Sequence, residues 1–278
     1  MLVSCYAMLV DMKILNGTEL VGFIKERQAK QVRALRQAHN IFPKLAIIQT
    51  KDDRVIDTYV RLKKAYGEDI LVEVELHKIS QDQAEETIQA LNDDDSVHGI
   101  IIQLPLENKQ ETEAIINIVK PEKDVDALGI NATLDAATPM AINWLLAGYN
   151  IELKNKQIVI VGNGRLVGRP LATMWENSGY TVTVLDSSTP DIKSEIQVAD
   201  IVVTAAGFPG VIKNDMLRPG TIVVDAGVAS EENKTVGDVA SEVYKRQDLI
   251  LTPQKGGVGP LTVAALFDNV IRAAGEPR

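Results

Sequence analysis

Residues 157–170 read QIVIVGNGRLVGRP. An apolar run from Ile158 to Val161 passes directly into Gly162, Gly164 and Gly168. A buried parallel strand that turns sharply into a helix has this form. Glycine lets the backbone reverse with no Cβ in the way. It also lets a phosphate approach the helix N-terminus, where free N–H groups and the dipole favour negative charge. The pattern therefore predicts a strand–turn–helix unit across a dinucleotide pyrophosphate. The third glycine comes one residue later than in the commonest fingerprint, so the flanking sequence matters. Leu171–Trp175 has helix-forming character, and a second apolar strand over 180–185 runs into Asp186. An acid about 20 residues past the glycines suits a ribose 2′-hydroxyl. Taken alone, the glycines are also compatible with a tight α/β turn that binds no nucleotide. The unit begins only after about 155 residues, so something of domain size precedes it.

The rest of the chain alternates in the same way. Helical spacing over 18–39 (Leu20, Val21, Ile24, Val32, Leu35) is followed by a short apolar strand, 45–49. A helix is expected over 57–66, a strand over 69–79, a helix over 84–91 and a strand over 99–104. Residues 138–148 (TPMAINWLLAG) read as a helix with Thr138 as cap and Pro139 in its first position, and as the connection between two domains. Beyond it, strands are expected at 157–161, 180–185, 200–204, 221–225 and 249–252, and a final helix over 261–274 opened by Pro260. Strands alternating with helices predict an α/β fold with parallel sheets.

Bulk properties exclude several classes. The 278 residues suffice for two ordinary domains, and 45% apolar with 24% charged residues is ordinary globular composition. The net charge of −9, without a long Lys/Arg block, argues against a nucleic-acid partner. A single cysteine, Cys5, and three scattered histidines (His39, His77, His98) leave no metal-ligand pattern, so no metal site is expected. The apolar stretch MLVSCYAMLV lacks a basic start and is too short to span a membrane; Met8 and Met12 are plausible alternative starts. A soluble chain in a reducing compartment is the expectation.

Three constellations carry chemistry. In TYVRLKK (58–64), Tyr59 and Lys63 share a helix face, and lowering of the lysine's pKa by burial or cationic neighbours would make it an acid/base. A solvated basic face is the plainer reading of that run. In GIIIQLPL (99–106), Gln103 lies near the carboxyl end of a buried strand, where ligands gather; it serves equally as a cap for backbone groups. In PEKDVD (121–126), Asp124 and Asp126 share a side if the segment is extended. They form either an acidic surface turn or a carboxylate site for a heterocycle with amine and ring N–H donors.

The ordered set TYVRLK, GIIIQLPL, PEKDVD, TP at 138–139, VGNGRLVGRP, ADIVVTAAGFPG, IVVDAGV, VGDV and TPQKGGVGPLTVAAL resembles the bifunctional methylenetetrahydrofolate dehydrogenase/cyclohydrolase family over residues 13–274. The resemblance implies an N-terminal α/β catalytic, folate-binding domain (1–140), a Rossmann-type parallel-sheet NAD(P)-binding domain (141–260), and a last helix, 261–278, packed back on the first. It implies hydride transfer from 5,10-methylenetetrahydrofolate and hydrolysis of the methenyl product. Lys63 matches the family's proton-handling lysine, Tyr59 and Gln103 its partners, Asp126 the pterin-holding carboxylate, and Gly259 and Pro260 the loop lining the folate site. Cofactor positions implied are Gly162, Asn163, Gly164, Arg165, Gly168, Asp186, Ser187, Ala206, Gly207 and Val228. The family is typically a homodimer, and a cytoplasmic location is expected.

The chain departs from the family at several places. Arg54-Val55-Ile56 stands where Pro-Ala-Ser is usual, Ala127 follows KDVD in place of glycine, and Gln254-Lys255 replaces Val-Pro. Asn163-Gly164 stands where Arg-Ser is common, and Asp186 where a histidine often ends the second strand. A 2′-phosphate wants arginine, whereas a carboxylate would repel it. Asp186 therefore favours NAD, while Arg165 and the family's habit keep NADP open. A shikimate-dehydrogenase-like oxidoreductase also pairs a catalytic with a Rossmann domain but leaves QLPL and GGVGP unexplained. A non-enzymatic NAD-binding descendant would leave Tyr59, Lys63, Gln103 and Asp126 without purpose.

Overall fold

The computed structural model describes residues 14–231 and 234–276; Cys5, Met8 and Met12 lie outside the described residues. The chain divides into two compact units. One comprises Val21–Ala137 with the segment from Thr262 onward, the other Thr138–Leu261 with the segment up to Leu20. The division falls inside two helices, α1 (Gly17–His39) and α8 (Val258–Gly275).

The first unit is built on a three-stranded parallel sheet in the order β2-β1-β3, from β1 (Lys44–Gln49), β2 (Glu73–Lys78) and β3 (Gly99–Ile102). Leu45 pairs with Val74 on one side and Gly99 on the other. Central β1 and neighbouring β3 are apolar runs because both faces are covered, as parallel sheets require. Helix α2 (Arg54–Ile70) starts where the Asp53 carboxylate accepts the N–H groups of Val55 (2.8 Å) and Ile56 (3.4 Å). It runs through Asp69 and Ile70, which sequence assigned to the next strand. The helix ends at Leu71, held left-handed at φ 67°, with its N–H donating to Glu68 and Gly67 carbonyls. Apolar Ile70, Leu71 and Val72 look alike in either state, so the boundary is set by the cap. Helix α3 (Ala84–Asp93) and the short α4 (Thr112–Ile116) complete the N-terminal part. The C-terminal helix joins this core: Phe267 stacks on Tyr66 with ring centroids 5.1 Å apart, and the Asn269 amide donates to the carbonyls of Val125 (2.9 Å) and Asp135 (2.8 Å).

The second unit holds a five-stranded parallel sheet in the order β10-β7-β6-β4-β5: β4 (Ile158–Val161), β5 (Val182–Leu185), β6 (Ile201–Thr204), β7 (Ile222–Asp225) and β10 (Ile250–Leu251). The chain leaves β4 for β5 on one side, then crosses to β6 on the other. The strand order reverses there, which opens a crevice at the carboxyl ends. Helices α5 (Ala137–Gly148), α6 (Gly168–Asn177) and α7 (Ile192–Val198), with a hairpin of β8 (Ala229–Glu231) and β9 (Lys234–Val236), complete this unit. Two boundaries differ from expectation. α5 begins at Ala137, so Thr138 lies inside the first turn and is not the cap; α8 begins at Val258, two residues before Pro260. Residues 14–20 go with this unit and not with the first 140: Ile14 bridges Leu251, and the Leu15 N–H donates to the Leu251 carbonyl at 2.9 Å. Among the described residues no helix is long and apolar enough to cross a membrane, and no cluster of His, Cys, Asp or Glu is placed to hold a metal.

Candidate active site

In the first unit, the carboxyl ends of β1 and β3 meet one face of α2. Gln103 is the first residue past β3, and its N–H donates to the Ile48 carbonyl at 2.9 Å. Its side chain is therefore fixed at the strand ends. Lys63 Nζ donates to Gln103 Oε1 at 2.8 Å, and Gln103 Nε2 donates to the Leu104 carbonyl at 3.2 Å. An ammonium only donates, so it fixes which end of the amide faces it. Tyr59 lies one turn before Lys63 on the same face.

Electrostatics tie Asp126 to this pair. Tyr59, Lys63, Gln103 and Asp126 are all half-buried. Burial lowers the pKa of Lys63, and the charge of Asp126 opposes that. Burial raises the pKa of Asp126, the charge of Lys63 opposes that, and Asp124 adds to the rise. Both groups thus move toward neutrality, and each keeps the other partly charged. A lysine in this position gives up its proton more readily than one on a solvated face, because burial disfavours its charged form.

The condition under which Asp124 and Asp126 would share a side, an extended segment, is not met. Residues 121–126 fold as a turn, with the Lys123 and Asp124 N–H groups donating to the Lys120 carbonyl at 2.9 and 3.0 Å. The Asp124 carboxylate closes the following turn, accepting the N–H groups of Leu128 (3.3 Å) and Gly129 (2.7 Å). Only Asp126 is left to face Lys63. Ala127, where the family has glycine, sits at φ 55°, a conformation costing an ordinary residue about 1–2 kcal/mol.

In the second unit the glycine turn follows β4. Gly162 has φ 108°, and a Cβ there would lie 2.5 Å from the Ala205 carbonyl oxygen. A Cβ on Gly168, the first residue of α6, would lie 1.8 Å from the Gly162 carbonyl oxygen. These two positions demand glycine; Gly164 is exposed, and a Cβ there has room. Asp186 ends β5 one residue on, with Oδ1 accepting the Ser188 N–H (2.9 Å) and hydroxyl (2.6 Å). Those bonds hold its pKa below the usual carboxylate range, with a smaller contribution from the Asn163 side chain. Ser187 is exposed beside it, and Arg165 is half-buried in the turn. Ala206 and Gly207 follow β6, and a Cβ on Gly207 would lie 3.7 Å from the Val228 carbonyl oxygen, so the loops after β6 and β7 adjoin. The crevice left by these glycines fits a dinucleotide backbone.

Residues 15–126 match the tetrahydrofolate dehydrogenase/cyclohydrolase catalytic domain, and residues 136–277 match the NAD(P)-binding domain of the same enzymes. The chain belongs to the tetrahydrofolate dehydrogenase/cyclohydrolase family. It is 36% identical to the bifunctional protein FolD of Francisella philomiragia over 279 residues, covering 95% of this chain and 99% of that one. Among solved structures, the bifunctional methylenetetrahydrofolate dehydrogenase/cyclohydrolase FolD of Campylobacter jejuni superposes with a TM-score of 0.88 at 34% identity, covering 94% of this chain and 98% of that one. A Trypanosoma brucei methylenetetrahydrofolate dehydrogenase-cyclohydrolase, solved with NADP and an inhibitor, superposes with a TM-score of 0.87 at 29% identity, covering 94% and 96%.

Against the family pattern, Ile56 lies on the buried side of α2, two turns before Lys63, and adds apolar surroundings where a serine is usual. Gln254 and Lys255 are exposed. Gly259 and Pro260 lie in the first turn of α8, within the second unit. Three functional or supporting groups were not singled out from sequence. Lys123 is buried, its ammonium donating to the carbonyls of Leu91 (2.9 Å), Asn92 (2.9 Å) and Asp94 (2.8 Å) at the end of α3. Gln49, fully buried at the end of β1, donates to Asp57 at 2.9 Å; a polar residue closing an apolar strand was its signal. Asp238 is fully buried behind the loop after β6, and glycines near it and Asp225 were its signal.

Proposed function

We propose that this chain oxidises 5,10-methylenetetrahydrofolate with NAD(P)+ to the 5,10-methenyl cation and hydrolyses that cation to 10-formyltetrahydrofolate. The observation that carries the reading is the 2.8 Å bond from Lys63 to Gln103 beside Asp126, in a chain of this family. Asp126 holds the pterin by accepting charge-assisted hydrogen bonds from its amino and ring N–H groups. A bound nicotinamide would supply the hydride acceptor. The resulting positive charge spreads over two nitrogens, so no general base is needed in that step and positioning does most of the work. Hydrolysis does need proton transfer. Lys63, lowered by burial, takes a proton from the water as it adds to the cation. The neutral adduct then opens: its hydroxyl proton passes to N5 as the bond from carbon to N5 breaks. Gln103 keeps the amine aimed, and Tyr59 bounds the same helix face.

The cofactor is held by the turn Gly162–Gly168, with Asn163, Gly164, Arg165, Ser187, Ala206, Gly207 and Val228 around it. Asp186 accepts the adenosine ribose 2′-hydroxyl and selects NAD over NADP. Its support is a carboxylate kept ionised by Ser188, which repels a 2′-phosphate. The same reading places the enzyme in the cytoplasm as a homodimer acting on free folate, with neither nucleic acid nor membrane as partner. The test is the absorbance of reduced nicotinamide formed from methylenetetrahydrofolate with each cofactor, for wild type and Asp186→Ala. Wild type is expected to show the higher kcat/KM with NAD, and the variant to lose that preference by about tenfold. No turnover with either cofactor refutes the dehydrogenase; a wild-type preference for NADP refutes the role of Asp186.

A further inference from the structure

Along the carboxyl edge of the five-stranded sheet the loops follow the strand order: Val228 after β7, Ala206–Phe208 after β6, the glycine turn after β4, Asp186 after β5. Neighbouring strands lie about 4.8 Å apart, so Asp186 and the β6 loop stand on opposite sides of the turn. A dinucleotide with its adenosine ribose at Asp186 and its pyrophosphate at the turn carries its nicotinamide half toward β6 and β7. Two apolar side chains stand exposed there, Phe208 at 69% and Val228 at 58%.

Beyond Ala205 the β6 loop is fixed by a carboxylate. Asp238, with no exposed surface, accepts the Thr204 hydroxyl (2.7 Å) and the Ala206 N–H (2.6 Å) on one oxygen and the Phe208 N–H (2.8 Å) on the other. Asp225, at the end of β7, holds Asp238 in turn by accepting its N–H (3.1 Å), the Val239 N–H (3.0 Å) and the Tyr244 hydroxyl (2.9 Å). Two glycines make room for the crossing. A Cβ on Gly227 would lie 2.1 Å from the Asp238 carboxyl carbon, and one on Gly237 would lie 2.1 Å from an Asp225 oxygen. With the N–H groups of 206 and 208 taken by Asp238, the loop is left with Gly207, at φ 66°, and with the exposed Phe208 ring.

We propose that Asp238 is a positioning residue of the cofactor site: by taking the Ala206 and Phe208 N–H groups it sets the β6 loop so that Phe208 and Val228 flank the nicotinamide ring. This rests on the cofactor reading above. Asp238→Asn keeps the volume but turns one acceptor oxygen into a donor, which cannot serve both N–H groups. Its KM for NAD is expected to rise about tenfold, and that of Phe208→Ala a few-fold. Hydrolysis of the methenyl substrate uses no nicotinamide and is expected to stay at the wild-type rate in both, which a general loss of folding would not allow. An unchanged KM for NAD in the folded Asp238→Asn enzyme overturns the proposal, as does a parallel fall in hydrolysis. If Asp238→Asn does not fold, Phe208→Ala decides: its side chain is exposed, and an unchanged KM there overturns the placement. A wild type that reduces neither cofactor would overturn the functional reading itself, not the loop.

Discussion

Lys63→Met separates the two reactions and also makes a second, less obvious change. The substitution keeps the stem that crosses the α2 face and removes the ammonium that bonds Gln103 at 2.8 Å. Loss of a positioned acid/base costs about 10²- to 10⁴-fold in rate, equivalent to roughly 3–5 kcal/mol of barrier. Hydride transfer needs no base and is expected to continue. The second change concerns Asp126, whose carboxyl is pushed up by burial and held down by Lys63. Without that charge its pKa rises further. The ionised form holds the pterin, so affinity is lost as pH falls through that pKa. In the variant, the low-pH limb of folate KM therefore lies at higher pH than in wild type. The assay follows decay of the methenyl chromophore, corrected for the uncatalysed rate, and reduced nicotinamide in parallel, from about pH 5.5 to 8.5. Hydrolysis within about threefold of wild type would remove Lys63 from the mechanism. An unmoved KM limb would show that Lys63 and Asp126 are not coupled as their surroundings indicate.

Gly168→Ala places a Cβ 1.8 Å from the Gly162 carbonyl oxygen, against ordinary contacts of 3.4–4 Å, so the start of α6 must move by more than an ångström. Misplacement of that size costs about 10²-fold; dehydrogenase kcat/KM is expected to fall accordingly with hydrolysis kept, and an unchanged KM for NAD would contradict the close approach. Lys123→Met leaves three carbonyls at the end of α3 without their ammonium. Denaturant unfolding should show a loss of about 3 kcal/mol, and an unmoved midpoint would mean that water replaces the lysine.

What sequence discloses here depends on how far apart the partners are along the chain. β1, β3, β4, β6 and β7 are legible because a strand covered on both faces is one apolar run. The Gly162–Gly168 turn is legible because Gly168 packs against the Gly162 carbonyl six positions before it, inside the motif itself. The lysine's environment is not: Lys63 is shifted by burial against an amide 40 positions away, and nothing in TYVRLKK distinguishes that from a solvated basic face without the family resemblance. The spacing of Asp124 and Asp126 does not place them, because a period of two implies a shared side only in extended chain, and this segment is a turn. Asp238 is a similar case to Lys63, since its three donors lie 30 to 34 residues before it. Its trace is nevertheless local. Asp225-Ala226-Gly227 and Gly237-Asp238 each set an acid within two positions of a glycine, and each glycine is where the other segment's carboxylate excludes a Cβ. A glycine with ordinary φ so near an acid, twice, therefore points to a side chain crossing close overhead. Gly227→Ala should disturb the β6 loop as Asp238→Asn does, because it moves the same carboxylate from the other side.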